Sequence, residues 1–259
     1  MFELCVDIDN KFKICVEDFI SQDLTITELA KLISGKNKNN DEFNYSSFPL
    51  HRKRTDWLKF ELFKKWTKFN YNFSCSGLEN IDFNENYIFT PNHESHFDSM
   101  WMMAFFPKKM QVRMCSMAAD YLFRKSIYKY GVRIMGGVPV HRNGNTSIAM
   151  KRIYDLIAFE NRSLMIHPEG TRSRNGQLGE FKIGAAELSI KTKIKIIPVG
   201  INGARDIFPP DKKFPKLRTI GEKKRLHFAF GTPLDPLNYS NARELTREIK
   251  KEIIKLKNI

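Results

Sequence analysis

Between residues 86 and 230, short apolar runs alternate with longer helical patterns, and this alternation limits the fold more than any other feature. Tyr87-Ile88-Phe89-Thr90, Ser163-Leu164-Met165-Ile166-His167, Ile194 to Ile201 and Leu226 to Phe230 read as strands, because each is short, apolar and bounded by polar turns. Met110 to Ser116 reads as another strand, and a short one follows Gly136-Gly137. Helices are expected over Ser99 to Phe106, over Leu122 to Tyr130 ending at Gly131, over Ser147 to Glu160, from Phe181, and over Asn241 to Lys257. Strands alternating with helices give an α/β fold, a largely parallel central sheet flanked by helices. Pro198 lacks an amide hydrogen, which argues that its strand is irregular or at an edge.

The 259 residues suit one large domain, or one domain and an appendage, and the 42% hydrophobic content suffices for a core. Composition divides the chain into a helical stretch at 1–36, a Gly-, Lys- and Asn-rich linker at 37–50, and a main domain at 51–259. Net charge is +14, so an anionic partner is expected: a membrane surface, a phosphorylated substrate or nucleic acid. Cys5, Cys15, Cys75 and Cys115 lie far apart, with neither zinc-site nor disulfide spacing, as expected of reduced thiols in the cytoplasm. There is no signal-peptide pattern, and no apolar run long enough to span a bilayer. If the protein works on lipids, it is expected to do so from the surface. Trp57 to Phe69 repeats aromatics with lysines between them, a pattern that suits an anionic lipid surface or a helix packing its aromatics inward.

The chemistry concentrates at the ends of two strands. Pro91-Asn92-His93-Glu94-Ser95-His96-Phe97-Asp98 follows the first strand and opens a helix. An imidazole accepts a proton at neutral pH, and a nearby carboxylate fixes its tautomer and stabilises the imidazolium. The chain has no Gly-x-Ser-x-Gly, so His93 with Asp98 would activate a substrate hydroxyl directly, without an acyl-enzyme. The alternative is a polar loop with a structural histidine and an N-cap Asp98 at the positive end of a helix. His96 in the same stretch reads as a variable position.

Further along, Gly136-Gly137-Val138-Pro139-Val140-His141-Arg142 brings Arg142 to a strand end, where its guanidinium suits a phosphate. Pro168-Glu169-Gly170-Thr171-Arg172-Ser173-Arg174 gathers a carboxylate, a glycine, a hydroxyl and two guanidinium groups in one turn. Its cationic side also suits a phosphate.

In order, Asn92-His93 to Asp98, Gly136 to Arg142, Pro168 to Arg174 and Ile197-Pro198-Val199 resemble the glycerolipid acyltransferase family, the 1-acylglycerol-3-phosphate (lysophosphatidic acid) O-acyltransferases and their relatives, over about residues 55–235. The resemblance implies a glycerol-3-phosphate acyltransferase-like fold with a helical N-terminal extension. It implies that His93 deprotonates the acceptor hydroxyl, that Asp98 orients and charge-stabilises His93, and that Arg142 helps to hold the acceptor phosphate. Glu169, Gly170, Thr171 and Arg172 would form the acceptor site, with Arg172 nearest the phosphate, and Pro198 would lie on the acyl-donor or structural side. No metal and no bound cofactor are implied; the donor would be acyl-CoA or acyl carrier protein. The acceptor would be a lysophospholipid, reached at the inner face of the cell membrane. Two departures leave the acceptor open: His167 stands where Phe is usual, and Val138-Pro139-Val140 where bulkier residues are frequent.

Residues 1–36 resemble the second half of an acyl carrier protein, through Phe12-Lys13-Ile14-Cys15-Val16 and Leu24-Thr25-Ile26-Thr27-Glu28-Leu29. In that family the phosphopantetheine serine lies upstream, which here would fall before Met1. The other reading is an ordinary two-helix extension. Competing functions are transfer to a different or specialised lipid acceptor, thioester hydrolysis, and nucleic-acid binding, for which the chain carries no known motif or stacking platform.

Overall fold

The computed structural model describes Phe48, Lys53 and residues 55–257 apart from 125, 141–145, 213 and 219–221. The carrier-like stretch at 1–36, most of the linker and Arg142 lie outside the described residues. In chain order the elements are α1 (Asp56–Asn70), β1 (Asn72–Ser76), β2 (Ile88–Pro91), α2 (Asp98–Met103), α3 (Lys108–Arg113), β3 (Met114–Ala119), α4 (Ser126–Ile134) and β4 (Gly137–Val140). They continue with α5 (Thr146–Ala158), β5 (Ser163–Met165), α6 (Gly184–Thr192), β6 (Ile196–Asn202), α7 (Ala204–Ile207), β7 (Arg225–Phe230) and α8 (Ala242–Lys257). The sheet is mostly parallel and flanked by helices, as the alternation predicts.

Two compact units are distinguished, one of residues 53–114 and 161–257, the other of Phe48 and residues 115–160. In the first, strand order is β1-β7-β6-β2-β5. Parallel pairs join β1 to β7, β2 to β6 and β2 to β5, while β6 and β7 run antiparallel. Ile88, Phe89, Trp101, Met102, Met103 and Phe228 are fully buried against this sheet. The helix α8 packs on β6 so closely that a Cβ at Gly200 would stand 2.6 Å from Leu256 Cβ and 2.7 Å from its carbonyl carbon. In the second unit β3 and β4 pair in parallel, and Phe48 meets Phe123 edge-on at 5.0 Å in a small cluster with Val132.

Three local expectations are corrected. Residues 110–113 of the expected Met110–Ser116 strand are helical, within α3 (Lys108–Arg113). Pro107 precedes α3 in extended backbone (ψ 155), and Gln111 Nε2 donates to Met103 O (3.1 Å) and Phe106 O (3.0 Å), satisfying carbonyls left at the end of α2. The helix α4 starts later than expected and runs past Gly131, because Val132 and Ile134 beyond it are buried. Pro198 lies in an interior strand. Its carbonyl accepts from Gly231 N (2.9 Å) just beyond the paired register of β6 and β7, so its missing donor costs only a bond at the end of that ladder.

Replacing Gly200 by alanine should destabilise the fold by about 2 kcal/mol through overpacking, read as a lower urea midpoint with an unchanged slope. Gly131→Ala, in open space, should be neutral or stabilising.

Candidate active site

β2 delivers the site. Asn92, fully buried one residue beyond it, accepts from Ile201 N through Oδ1 (2.6 Å) and donates from Nδ2 to Ile201 O (3.2 Å) and Glu94 Oε1 (3.3 Å). The loop is thereby fixed to β6. The next residue is held from both sides: His93 N donates to Glu169 Oε1 (2.9 Å), and Ser173 N donates to His93 O (2.8 Å). Glu169 Oε2 accepts from Gly179 N (2.8 Å), so one carboxylate joins the His93 loop to both limbs of the 168–179 turn. Burial raises the Glu169 pKa, opposed by these amides. Gly170 takes φ +67 in the tight turn closed by its amide on His167 O (3.0 Å), a conformation that favours glycine.

Asp98 opens α2, but its carboxylate turns back towards the loop instead of capping the helix. Oδ2 accepts from His93 Nδ1 (2.9 Å), Glu94 N (2.7 Å) and Ser95 N (2.8 Å). Oδ1 is buried and has no hydrogen-bond partner among the described residues. Burial pushes the Asp98 pKa up to about 6, against the pull of the two amides. The Asp98 contact assigns the proton to His93 Nδ1, which makes Nε2 the basic nitrogen.

The cationic side of the site is built on the same turn. Arg172 Nη1 lies 2.7 Å from His96 Nδ1, and His96 Nε2 faces Pro210 O at 3.3 Å. Both His96 nitrogens are thus occupied, and burial followed by Arg172 lowers its pKa. Arg205 Nη1 donates to Ser173 O (3.2 Å). Thr171 is exposed beside Arg172. His93, Asp98, Glu169, Gly170, Thr171 and Arg172 therefore share one loop cluster. Arg142 lies outside the described residues.

Sequence reasoning gave no role to Glu94, Ser173, Arg205 or Lys257. Glu94 is buried and ion-paired with Lys257 from the last turn of α8. Burial raises its pKa and Lys257 opposes the rise. The polar density around His93 was a signal for Glu94; nothing local marks Lys257, which is 163 residues away. Among the described residues, no group of three or more His, Cys, Asp or Glu is placed to hold a metal ion.

The raised Asp98 pKa has a definite sign for stability. A carboxyl whose folded pKa exceeds its unfolded value contributes most below the unfolded value, near 3.8, and loses that contribution as pH rises through about 6. Asp98→Asn should therefore gain in melting temperature relative to wild type between pH 4 and 7. His93-dependent turnover should fall by about 10³-fold or more, since a misassigned tautomer removes the base.

Residues 72–202, just over half of the chain, match the family described as Acyltransferase. The 1-acyl-sn-glycerol-3-phosphate acyltransferase of Streptococcus pneumoniae is 29% identical over 151 residues, covering 58% of this chain and 51% of that protein. Human 1-acyl-sn-glycerol-3-phosphate acyltransferase beta is 31% identical over 130 residues, covering 49% and 45%. The chain thus spans about half the length of these relatives. The crystal structure of the 1-acyl-sn-glycerophosphate (LPA) acyltransferase PlsC from Thermotoga maritima has the same fold, with a TM-score of 0.64, 19% identity, and coverage of 98% of this chain and 90% of that one. The match includes the strand-end loop of His93 and Asp98 and the turn that fixes it, and the chain belongs to the acyltransferase family.

Proposed function

We propose that this chain is an O-acyltransferase that moves a fatty acyl group from a thioester to the hydroxyl of a lysophosphatidic-acid-like acceptor. The observation that carries the reading is the His93–Asp98 contact on a loop pinned at both backbone atoms of His93. In this mechanism His93 Nε2 takes the acceptor's hydroxyl proton as the oxygen attacks the thioester carbonyl. The buried Asp98 carboxylate balances the imidazolium. Collapse of the tetrahedral intermediate breaks the C–S bond, and Nε2 returns its proton to the leaving sulfur. The products are an ester and a free thiol, from acyl-CoA or acyl carrier protein. Arg172, which contacts His96 in the same loop, supplies positive charge for the acceptor's phosphate. The similarity to 1-acyl-sn-glycerol-3-phosphate acyltransferases supports phosphatidic acid as product, in phospholipid biosynthesis.

Purified protein should convert lysophosphatidic acid and acyl-CoA or acyl carrier protein into phosphatidic acid, detected by mass spectrometry. His93→Ala should abolish the product. No product with either donor would remove the phosphatidic-acid reading and direct the search to other acceptors; free fatty acid without acceptor would identify a hydrolase.

We also propose that the protein meets its acceptor on the inner face of an anionic membrane. Among the described residues, no helix is long and apolar enough to cross a membrane. Leu58, Leu62 and Phe69 are exposed along one stripe of α1 with Lys65, and Phe69 is 60% exposed. Arg218 covers the Phe69 ring at 4.4 Å, and its loop exposes Leu217 and Phe214, the latter to 80%. Apolar side chains among basic ones match an anionic lipid surface. The patch adjoins the site, since Phe63 of α1 packs edge-on against Phe97 (5.6 Å), which packs against Phe208 (4.9 Å). The protein should co-sediment with phosphatidylglycerol vesicles more than with phosphatidylcholine vesicles. The Phe69→Ala/Phe214→Ala variant should bind at least about tenfold more weakly. Equal binding by the variant would rule this surface out.

A further inference from the structure

The imidazole of His167 lies face-on against that of His93, with ring centroids 3.7 Å apart and planes inclined by 13°. That is closer than the usual separation of aromatic pairs, so one ring covers the other. His167 is also tethered. Its Nδ1 lies 3.1 Å from Pro91 O and 3.2 Å from Asn92 O. Carbonyl oxygens only accept, so Nδ1 carries the hydrogen and is shared between them. Nε2 is then the acceptor, and Ser99 Oγ donates to it at 3.3 Å. Burial, then the neighbouring His93, lowers the His167 pKa to about 3, which suits this neutral form.

These contacts bracket the catalytic pair in sequence and in space. Pro91 and Asn92 immediately precede His93, and Ser99 immediately follows Asp98. The fourth contact is the His93 ring itself. Hydrogen bonds therefore fix the plane of His167, and the stack transfers that plane to His93.

We propose that His167 is a positioning residue, which holds the His93 imidazole in the plane that keeps Nδ1 on Asp98 and presents Nε2 to the acceptor hydroxyl. A ring in this place also blocks the rotation by which His93 would leave Asp98. Its neutrality matters, because a second cation facing His93 would oppose formation of the imidazolium. Phenylalanine could supply the stack without the tethers, whereas an aliphatic side chain could supply neither. The inference rests on the reading of His93 as the base.

Two variants separate orientation from mere bulk. His167→Leu keeps an apolar side chain of similar size but has no ring and no tether. His167→Phe restores a ring. Wild type and both variants would be assayed for acyl transfer to lysophosphatidic acid, with thermal melting and histidine NMR on the same samples. His93→Ala identifies the His93 resonances. The expected result for His167→Leu is a kcat lowered ~10- to 100-fold, with KM changed less than about threefold, as for a misoriented catalytic group. Its His93 Cε1–H resonance should lose the upfield ring-current shift seen in wild type. His167→Phe should recover the shift and most of kcat. Wild-type kcat in a folded His167→Leu, or a His167→Phe as defective as His167→Leu with its ring-current shift restored, would overturn the proposal. So would the absence of an upfield shift at His93 in wild type. The NMR readout does not need turnover, so failure of the acyl-transfer reading would appear separately, as no product from wild type.

Discussion

The site depends on the grip that the 168–179 turn takes on the backbone of one residue. His93 is not positioned by its own loop alone: Glu169 accepts from its amide, and the Ser173 amide donates to its carbonyl. A buried carboxylate is a strong acceptor, and an amide left without one beneath the loop would be costly. The grip depends in turn on sheet register. Ile88 pairs with Leu164 and Phe89 with Met165 in the parallel ladder between β2 and β5, which brings the two strand ends level. A shift of one residue would turn alternate side chains to the opposite face and carry Glu169 away from His93.

The same arrangement concentrates electrostatic cost. Asp98, Glu94 and Glu169 are all buried carboxylates with raised pKa values. Among the described residues, one Asp98 oxygen has no hydrogen-bond partner. A sequence shaped only for stability would not bury three acids within one loop and its turn. Here the rigid apolar layer of Ile88, Phe89, Trp101, Met102 and Met103 lies under the loop and offsets that cost.

Much of this was legible in the sequence because chemistry collects where strands end. The run Tyr87–Thr90 located β2, and the polar residues after it located the loop; the same logic found β5 and its turn. What escaped did so for physical reasons. β1, Asn-Phe-Ser-Cys-Ser, is mostly polar and buries chiefly Phe73, so no apolar run announced it. In α3, Met110 and Val112 mimic strand alternation, but Met110 and Gln111 face inward together while Val112 is exposed. Pro198 misled because a missing donor matters only where the ladder needs one. The motif around Glu169 gives no hint that its carboxylate satisfies two backbone amides, because those partners lie 76 and 10 residues away in the chain.

The pairing of Lys257 with Glu94 joins the last turn of α8 to the loop that holds His93. Asn202 adds a bond from its Nδ2 to Leu256 O (3.2 Å), and Gly200 lets the same turn approach β6. Consider the chain as it leaves the ribosome. The loop of Asn92, His93 and Glu94 emerges before α8, so the buried Glu94 cannot pair with Lys257 until α8 has been made and has docked. The Glu94 ion pair would then form only after α8 has docked on the sheet, and a nascent chain holding every motif residue would still lack it.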